Sequence, residues 1–299
     1  MNYCPRCGTA VAGNFCRVCG GPTSDVAADT TPNTTPGEAS QAHSLEPALG
    51  TVAPSGVVLP HGHARRMLVW ETRTVMFAFL VTGVTSAVLI LIHRGSGVGD
   101  VSRFPVIVHN NQVLNMLLGM LAYIPVMSVV PLAIFLLART GQTPSVLGIG
   151  VPRFKRDIFP ALGLGAAAFG IEFLMLLPFV ALIKHHPGLV NNLTVSSQPK
   201  FYLIEGVFMS AVTAVTEEVL VNGYFITRLG QLGWTPRGSL LLSLTLRTSY
   251  HVYYGLGFLL TIPFGYFVTR SFQKHHRLTR PIVAHFLFDV ILISIAILK

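Results

Sequence analysis

The stretch TEEVLVNGYFITRLGQLG, residues 216–233, decides the fold, because two adjacent glutamates, Glu217 and Glu218, stand in a run apolar enough to cross a membrane. A carboxylate near a bilayer centre costs about 2.5–3.5 kcal/mol on insertion scales, so such residues face a protein interior and carry chemistry or conduct ions. Two later apolar stretches add polar groups of the same kind. LRTSYHVYYG, residues 246–255, carries Arg247 and His251, and RPIVAHFLFDV, residues 280–290, carries His285 and Asp289. Each pair has i,i+4 spacing, which puts its members on one face of a helix. Six polar groups on three consecutive hydrophobic segments are best explained by one shared site.

The surrounding chain has the composition of a membrane protein. It is 51% hydrophobic and only 11% charged, with a mean hydropathy of +0.60, values that soluble domains of this length rarely show. Spanning helices need roughly 17–25 mostly apolar residues. Candidates fall at 74–93, 113–138, 157–183, 201–227, 238–253, 255–273 and 281–298. The expected fold is therefore an all-α polytopic membrane protein of about seven transmembrane helices. An eighth, from a re-entrant or split segment between 95 and 138, stays open. The first apolar segment begins some seventy residues in, which does not fit a signal peptide.

The formal charge of +9 does not point to nucleic acid. Residues 1–64 are acidic on balance, and the excess of Lys and Arg lies beside the hydrophobic segments. With the N-terminus inside, thirteen of these cations flank the inner ends and five the outer ends. That asymmetry predicts a cytoplasmic N-terminus in a plasma membrane, with anionic membrane lipid as the partner of the basic loops.

Cys4, Cys7, Cys16 and Cys19 are the only cysteines, arranged as CPRC, eight residues, then CRVC. Two Cys-x-x-Cys knuckles suit one tetrahedral Zn²⁺, and a cytoplasmic setting disfavours disulfides. Gly8 and Gly20 follow the knuckles and let each turn close without a Cβ clash. Residues 1–22 are thus expected to form a small zinc ribbon, similar to those that open many prokaryotic membrane proteins. Four thiolates leave no open position for water, so the metal is structural, and the ribbon is expected to be either a structural knob or a docking module for a cytoplasmic protein partner. Residues 23–64, rich in Thr, Ala, Pro and Ser, read as a disordered linker to a transmembrane domain at 65–299.

Taken in order, the three motifs resemble the CPBP family of intramembrane proteases, also called the CAAX protease or abortive-infection family. Its pattern is Glu-Glu-x-x-x-Arg, then Phe-x-x-x-His, then His-x-x-x-Asn/Asp, each on its own helix, and the resemblance covers residues 200–298. It implies an intramembrane endopeptidase in which Glu217 is the base, His251 helps hold the water, and His285 with Asp289 stabilises the oxyanion. Glu218, on the adjacent helix position about 100° away, has a different role from Glu217. This chain has Asn222 where the family has arginine, and Arg247 where it has phenylalanine. The two changes look compensatory, with Arg247 supplying from the next helix the cation that Glu218 would lack.

The residue types alone are consistent with this chemistry. Peptide hydrolysis needs an activated water, an oxyanion stabiliser and a proton donor for the leaving amine. No serine or cysteine is paired with these histidines in a nucleophile motif. Zn²⁺ ligation by the same Glu, His and Asp stays open as a minor reading, since there is no His-Glu-x-x-His. The rival of another class is a non-catalytic membrane scaffold or receptor that keeps the fold and recruits partners through the ribbon. Elsewhere, Glu172 reads as an interior hydrogen-bonding group, Glu205 as a residue snorkelling at the outer end, and Gly163, Gly165 and Gly170 as part of a small-residue packing face.

Overall fold

The computed structural model describes residues 2–3, 10–11, 62–93, 111–121, 123–185, 202–251 and 256–298. Two short strands, β1 (Asn2–Tyr3) and β2 (Ala10–Val11), pair antiparallel with Asn2 opposite Val11. The four expected zinc ligands, Cys4, Cys7, Cys16 and Cys19, and most of the expected linker lie outside the described residues. The other described elements are helical: α1 (Gly62–His93), α2 (Gln112–Leu121), α3 (Ile124–Arg139), α4 (Phe159–His185), α5 (Tyr202–Glu217), α6 (Ile226–Gln231), α7 (Pro236–Ser249), α8 (Thr261–His275) and α9 (Thr279–Leu298).

Two of the expected single helices are broken. The segment expected at 113–138 divides at Tyr123, just before Pro125 at the start of α3. Proline lacks the N–H that a continuing helix would use and is tolerated in a first turn. The segment expected at 201–227 changes pitch at the glutamates: α5 ends at Glu217, a π-helix runs over Glu218–Phe225, and α6 completes it. α7 starts where the sequence permits, with Thr235 accepting a hydrogen bond from the Gly238 N–H and Pro236 in the first turn. α8 stops at His276, which takes a left-handed φ of 48°.

Two stretches, Gln112–Arg139 and Phe154–Val180, are long and apolar enough to cross a membrane. The second buries only 6% of its apolar window inside the molecule. Phe173, Leu174, Leu177 and Val180 on α4 are each more than half exposed. The core helix of a soluble protein would hide such a surface, whereas lipid accommodates it.

The π-helix is the centre of the fold, and all eight of its residues are buried. Val75 and Phe79 of α1, Leu137 of α3, Leu147, Phe272 of α8 and Leu278 pack into one cluster with its Val219, Leu220 and Tyr224. Polar ties reinforce the packing. The Tyr224 hydroxyl donates to Glu71 at 2.7 Å, and Arg228 donates to the same carboxylate oxygen at 2.5 Å while lying over the Tyr224 ring.

α9 packs against α5 and α4. A Cβ at Gly165 would stand 3.8 Å from the Ala284 carbonyl oxygen, and the Phe169 and Phe288 rings meet edge-on at 5.8 Å. Of the three glycines expected on the packing face of α4, Gly165 meets α9, whereas Gly163 and Gly170 face open space among the described residues. Glu205 departs from the expectation of snorkelling. It is 1% exposed, and its Oε1 would stand 2.0 Å from a Cβ at Gly119, so a side chain at that position of α2 would have to displace the carboxylate.

The connection before α4 is fastened to the start of α9. Arg277 donates to both carboxylate oxygens of buried Asp157, at 2.6 and 2.5 Å, and to the Val151 carbonyl at 3.0 Å. Its bond to Asp157 pushes the Arg277 guanidinium above its ordinary value. Partial burial, followed by the charges of Arg280, Lys274 and Arg156, holds nearby His275 below its own. Positive charge is dense at this end of the bundle.

Candidate active site

The change of helical pitch falls between the two glutamates, and both turn toward α7. Arg247, buried in the last turn of α7, reaches them with separate nitrogens. Nη1 donates to Glu217 Oε2 at 3.0 Å and Nη2 to Glu218 Oε1 at 2.9 Å. One planar guanidinium thus holds two consecutive carboxylates in a fork, the geometry that suits arginine and that a lysine ammonium cannot copy. Its Nε is buried without a hydrogen-bond partner among the described residues. Gly265 of α8 makes the space: a Cβ there would stand 2.9 Å from Arg247 Cδ and 3.0 Å from Leu244 Cδ2.

Glu218 is fully buried and saturated. Besides Arg247, its Oε1 meets His285 Nδ1 at 2.8 Å, and its Oε2 accepts from the Asn222 side-chain amide one turn on. Asn222 is oriented in turn by Thr269 of α8, whose hydroxyl donates to Asn222 Oδ1 at 2.7 Å. The residue standing in the family arginine's place therefore still serves Glu218, as a neutral donor, while the charge comes from α7.

Glu217 is differently placed. Its side chain keeps 11% exposure. Both of its hydrogen bonds, from Arg247 and from the Tyr250 hydroxyl at 2.7 Å, fall on Oε2. Among the described residues Oε1 is not engaged by either donor.

The two histidines differ as well. His251 Nδ1 lies 2.8 Å from the Arg247 carbonyl oxygen. A carbonyl only accepts, so Nδ1 carries the hydrogen, and whenever the ring is neutral its lone pair is on Nε2. The ring lies 4.7 Å from that of Tyr250. His285, on α9, turns Nδ1 to Glu218 and has Nε2 3.5 Å from Asp289 Oδ2 one turn on. The first is a hydrogen bond and the second an ion-pair distance, so in the protonated ring, which carries a hydrogen on each nitrogen, the Nε2 hydrogen can reach another acceptor. Phe264 of α8 packs on the His285 ring at 5.0 Å.

The seven membrane-domain residues singled out in the sequence, Glu217, Glu218, Asn222, Arg247, His251, His285 and Asp289, thus form one connected network from four elements. Three neighbours were not singled out. Tyr250 was hidden beside His251 and is the direct partner of Glu217. Thr269 sits in a segment whose hydroxyl alone gave no signal. Gly265 acts only through the Cβ it lacks. Among the described residues no three His, Cys, Asp or Glu side chains gather in a way that could hold a metal ion. The oxygens of Glu218 are taken by cationic and amide donors instead.

Residues 199–291 match the family model described as type II CAAX prenyl endopeptidase, Rce1-like. The match supports the CAAX protease family for this part of the chain. It covers about a third of the residues and takes in all three motifs. Searches of curated proteins and of solved structures give no match. A CAAX-protease-like segment brings with it a membrane setting and a peptide or protein as substrate. The expected zinc ribbon lies outside the matched span, and its four cysteines lie outside the described residues.

Proposed function

We propose that the protein is an intramembrane endopeptidase in which Glu217 activates a water. The observation that carries this reading is the contrast between adjacent carboxylates. Glu218 is saturated by Arg247, His285 and Asn222, while among the described residues Glu217 accepts its hydrogen bonds at Oε2 and keeps some exposure. In this reading a water lies between Glu217 Oε1 and His251 Nε2. Glu217 removes a proton as the water oxygen attacks the peptide carbonyl carbon, and the developing oxyanion accepts from His285 Nε2. Collapse breaks the C–N bond, and the proton held by Glu217 passes to the leaving amine. Arg247 and Tyr250 keep Glu217 aimed throughout, and Glu218 orients His285.

The Zn²⁺ of the N-terminal ribbon is structural in this reading and takes no part in the reaction. With the basic inner loops in the cytoplasm, the ribbon docks a cytoplasmic protein. The rival reading, a non-catalytic scaffold or receptor, drew its strength from Asn222 in place of a cation. With Arg247 supplying that charge, Asn222 no longer argues against catalysis.

The test is cleavage of a peptide ending in farnesylated Cys-aliphatic-aliphatic-X by the full chain in liposomes, followed by mass spectrometry. Glu217→Gln removes only the base and should lower kcat by about 10²–10⁴-fold with folding unchanged. Undiminished cleavage by that variant would take Glu217 out of the mechanism.

A further inference from the structure

α1 lies outside the span that matches the family and carries none of the three motifs, yet one of its faces runs from the π-helix to the base. Glu71, Val75 and Phe79 stand at i, i+4 and i+8, one above another on the same side of the helix. Glu71 accepts from the Tyr224 hydroxyl at 2.7 Å and from Arg228, which fixes the height of α1 against the segment that follows the glutamates. Val75 is buried in the cluster that holds Val219, Leu220 and Tyr224. Two turns on from Glu71, about 12 Å along the axis, Phe79 meets the Tyr250 ring edge-on, with centroids 5.5 Å apart and planes at 84°. The hydroxyl on that ring is the one that donates to Glu217 Oε2 at 2.7 Å.

The regular turns of α7 end at Ser249, and Tyr250 is the cap beyond them, so the aim of its ring depends on what packs against it. Its aromatic neighbours are Phe79 and, at 4.7 Å, His251. His251 is the next residue in the chain and moves with it, so of the two Phe79 is the one anchored on another helix. A phenylalanine that only filled core volume would have nothing directional to lose on replacement by leucine. An edge-on aromatic contact also sets the orientation of the ring it meets, and here that orientation decides where a hydroxyl points. We propose that Phe79 is a positioning residue of the site: it holds the Tyr250 ring so that the hydroxyl stays on Glu217 Oε2, which leaves Oε1 to the water. This rests on the endopeptidase reading for its consequence, but the coupling itself can be measured without turnover.

The experiment is a double-mutant cycle in the full chain with Phe79→Leu, Tyr250→Phe and both together. The first change keeps an apolar side chain and removes the ring; the second keeps the ring and removes only its hydroxyl. With the farnesylated peptide, Phe79→Leu should lower kcat about three- to tenfold with KM little changed, the scale of an edge-on aromatic pair. In the Tyr250→Phe background the same change should cost nothing further, because no hydroxyl is left to aim. Losses that simply multiply, or a Phe79→Leu rate equal to the parent's, would overturn the proposal. The same four proteins are melted in detergent. A shift for the double variant smaller than the sum of the single shifts supports the coupling, and an additive shift overturns it. If the parent cleaves no peptide, the endopeptidase reading has failed and the melting cycle alone decides whether Phe79 aims the Tyr250 hydroxyl. Should Phe79→Leu not fold, Phe79→Met, which keeps more of the length, replaces it with the same expectations.

Discussion

Arg247 carries the largest energetic responsibility of any single residue in the site. Its guanidinium is 2% exposed and serves two carboxylates that have no other cation of fixed charge within hydrogen-bond reach among the described residues. Breaking a buried ion pair by removing one partner costs about 3–5 kcal/mol, because the other charge is left uncompensated. Arg247→Phe, which restores the family's residue type at that position, should therefore lower stability by about that amount. Asn222→Arg places a cation one turn from Glu218, within its own helix, and should recover much of the loss when combined with Arg247→Phe. Melting the two single variants and the pair in detergent checks this. A pair no more stable than the sum of its parts would mean that the two positions do not exchange roles. The reciprocal change was legible in the sequence because spacing and charge type survive without a structure. The fork onto both glutamates was not. Consecutive helical positions diverge by about 100° in an ideal α-helix, and nothing in residues 216–222 announces a π-helix.

At the scale of the element, the π-helix Glu218–Phe225 shows why the helix expected at 201–227 could not be straight. Its Gly223 stands against two neighbours at once: a Cβ there would meet Leu278 Cδ1 at 2.9 Å and the Leu147 carbonyl oxygen at 3.3 Å. Leu278 lies just before α9, and its N–H donates to the Gly148 carbonyl at 3.0 Å, so neither neighbour yields freely. Gly223→Ala should cost about 1–3 kcal/mol by overpacking. It should also reduce cleavage, because the strain falls where α9 begins and α9 carries His285. Thermal melting and peptide cleavage measured together check it; an unchanged melting temperature would show that this contact gives way. Helix ends at Pro125, Thr235 and Pro236 were written in the sequence by residues that start helices. The pitch change was not, because it follows from how the helix is gripped by α1, α3, α7 and α8 rather than from its own propensities.

At the scale of the whole molecule, the hydrophobic segments and their order were readable from composition, and helices occupy each described stretch where one was expected. The N-terminal cysteines are read from spacing alone. If they hold one Zn²⁺ through four thiolates, Co²⁺ replacing it in the full chain should give the visible bands of tetrahedral thiolate coordination, and Cys16→Ser should weaken them. A Co²⁺ spectrum without those bands would exclude the site. Neither substitution should alter cleavage by the membrane domain in detergent, since the four thiolates leave no position open for a substrate.

The sequence separation between the glutamates and their cation has a consequence for how the chain is made. Arg247 follows Glu217 by 30 residues and Glu218 by 29. At the roughly 5–20 residues per second of synthesis, both carboxylates leave the ribosome about 1.5–6 s before the guanidinium that neutralises them. In the resembled family pattern the arginine travels in the same helix and reaches the membrane with them. Among the described residues, the partner that travels in the same helix is Asn222, whose amide donates to Glu218. The two adjacent acids are thus made before the cation that pairs with both of them, and their charge is balanced only when α7 arrives beside them.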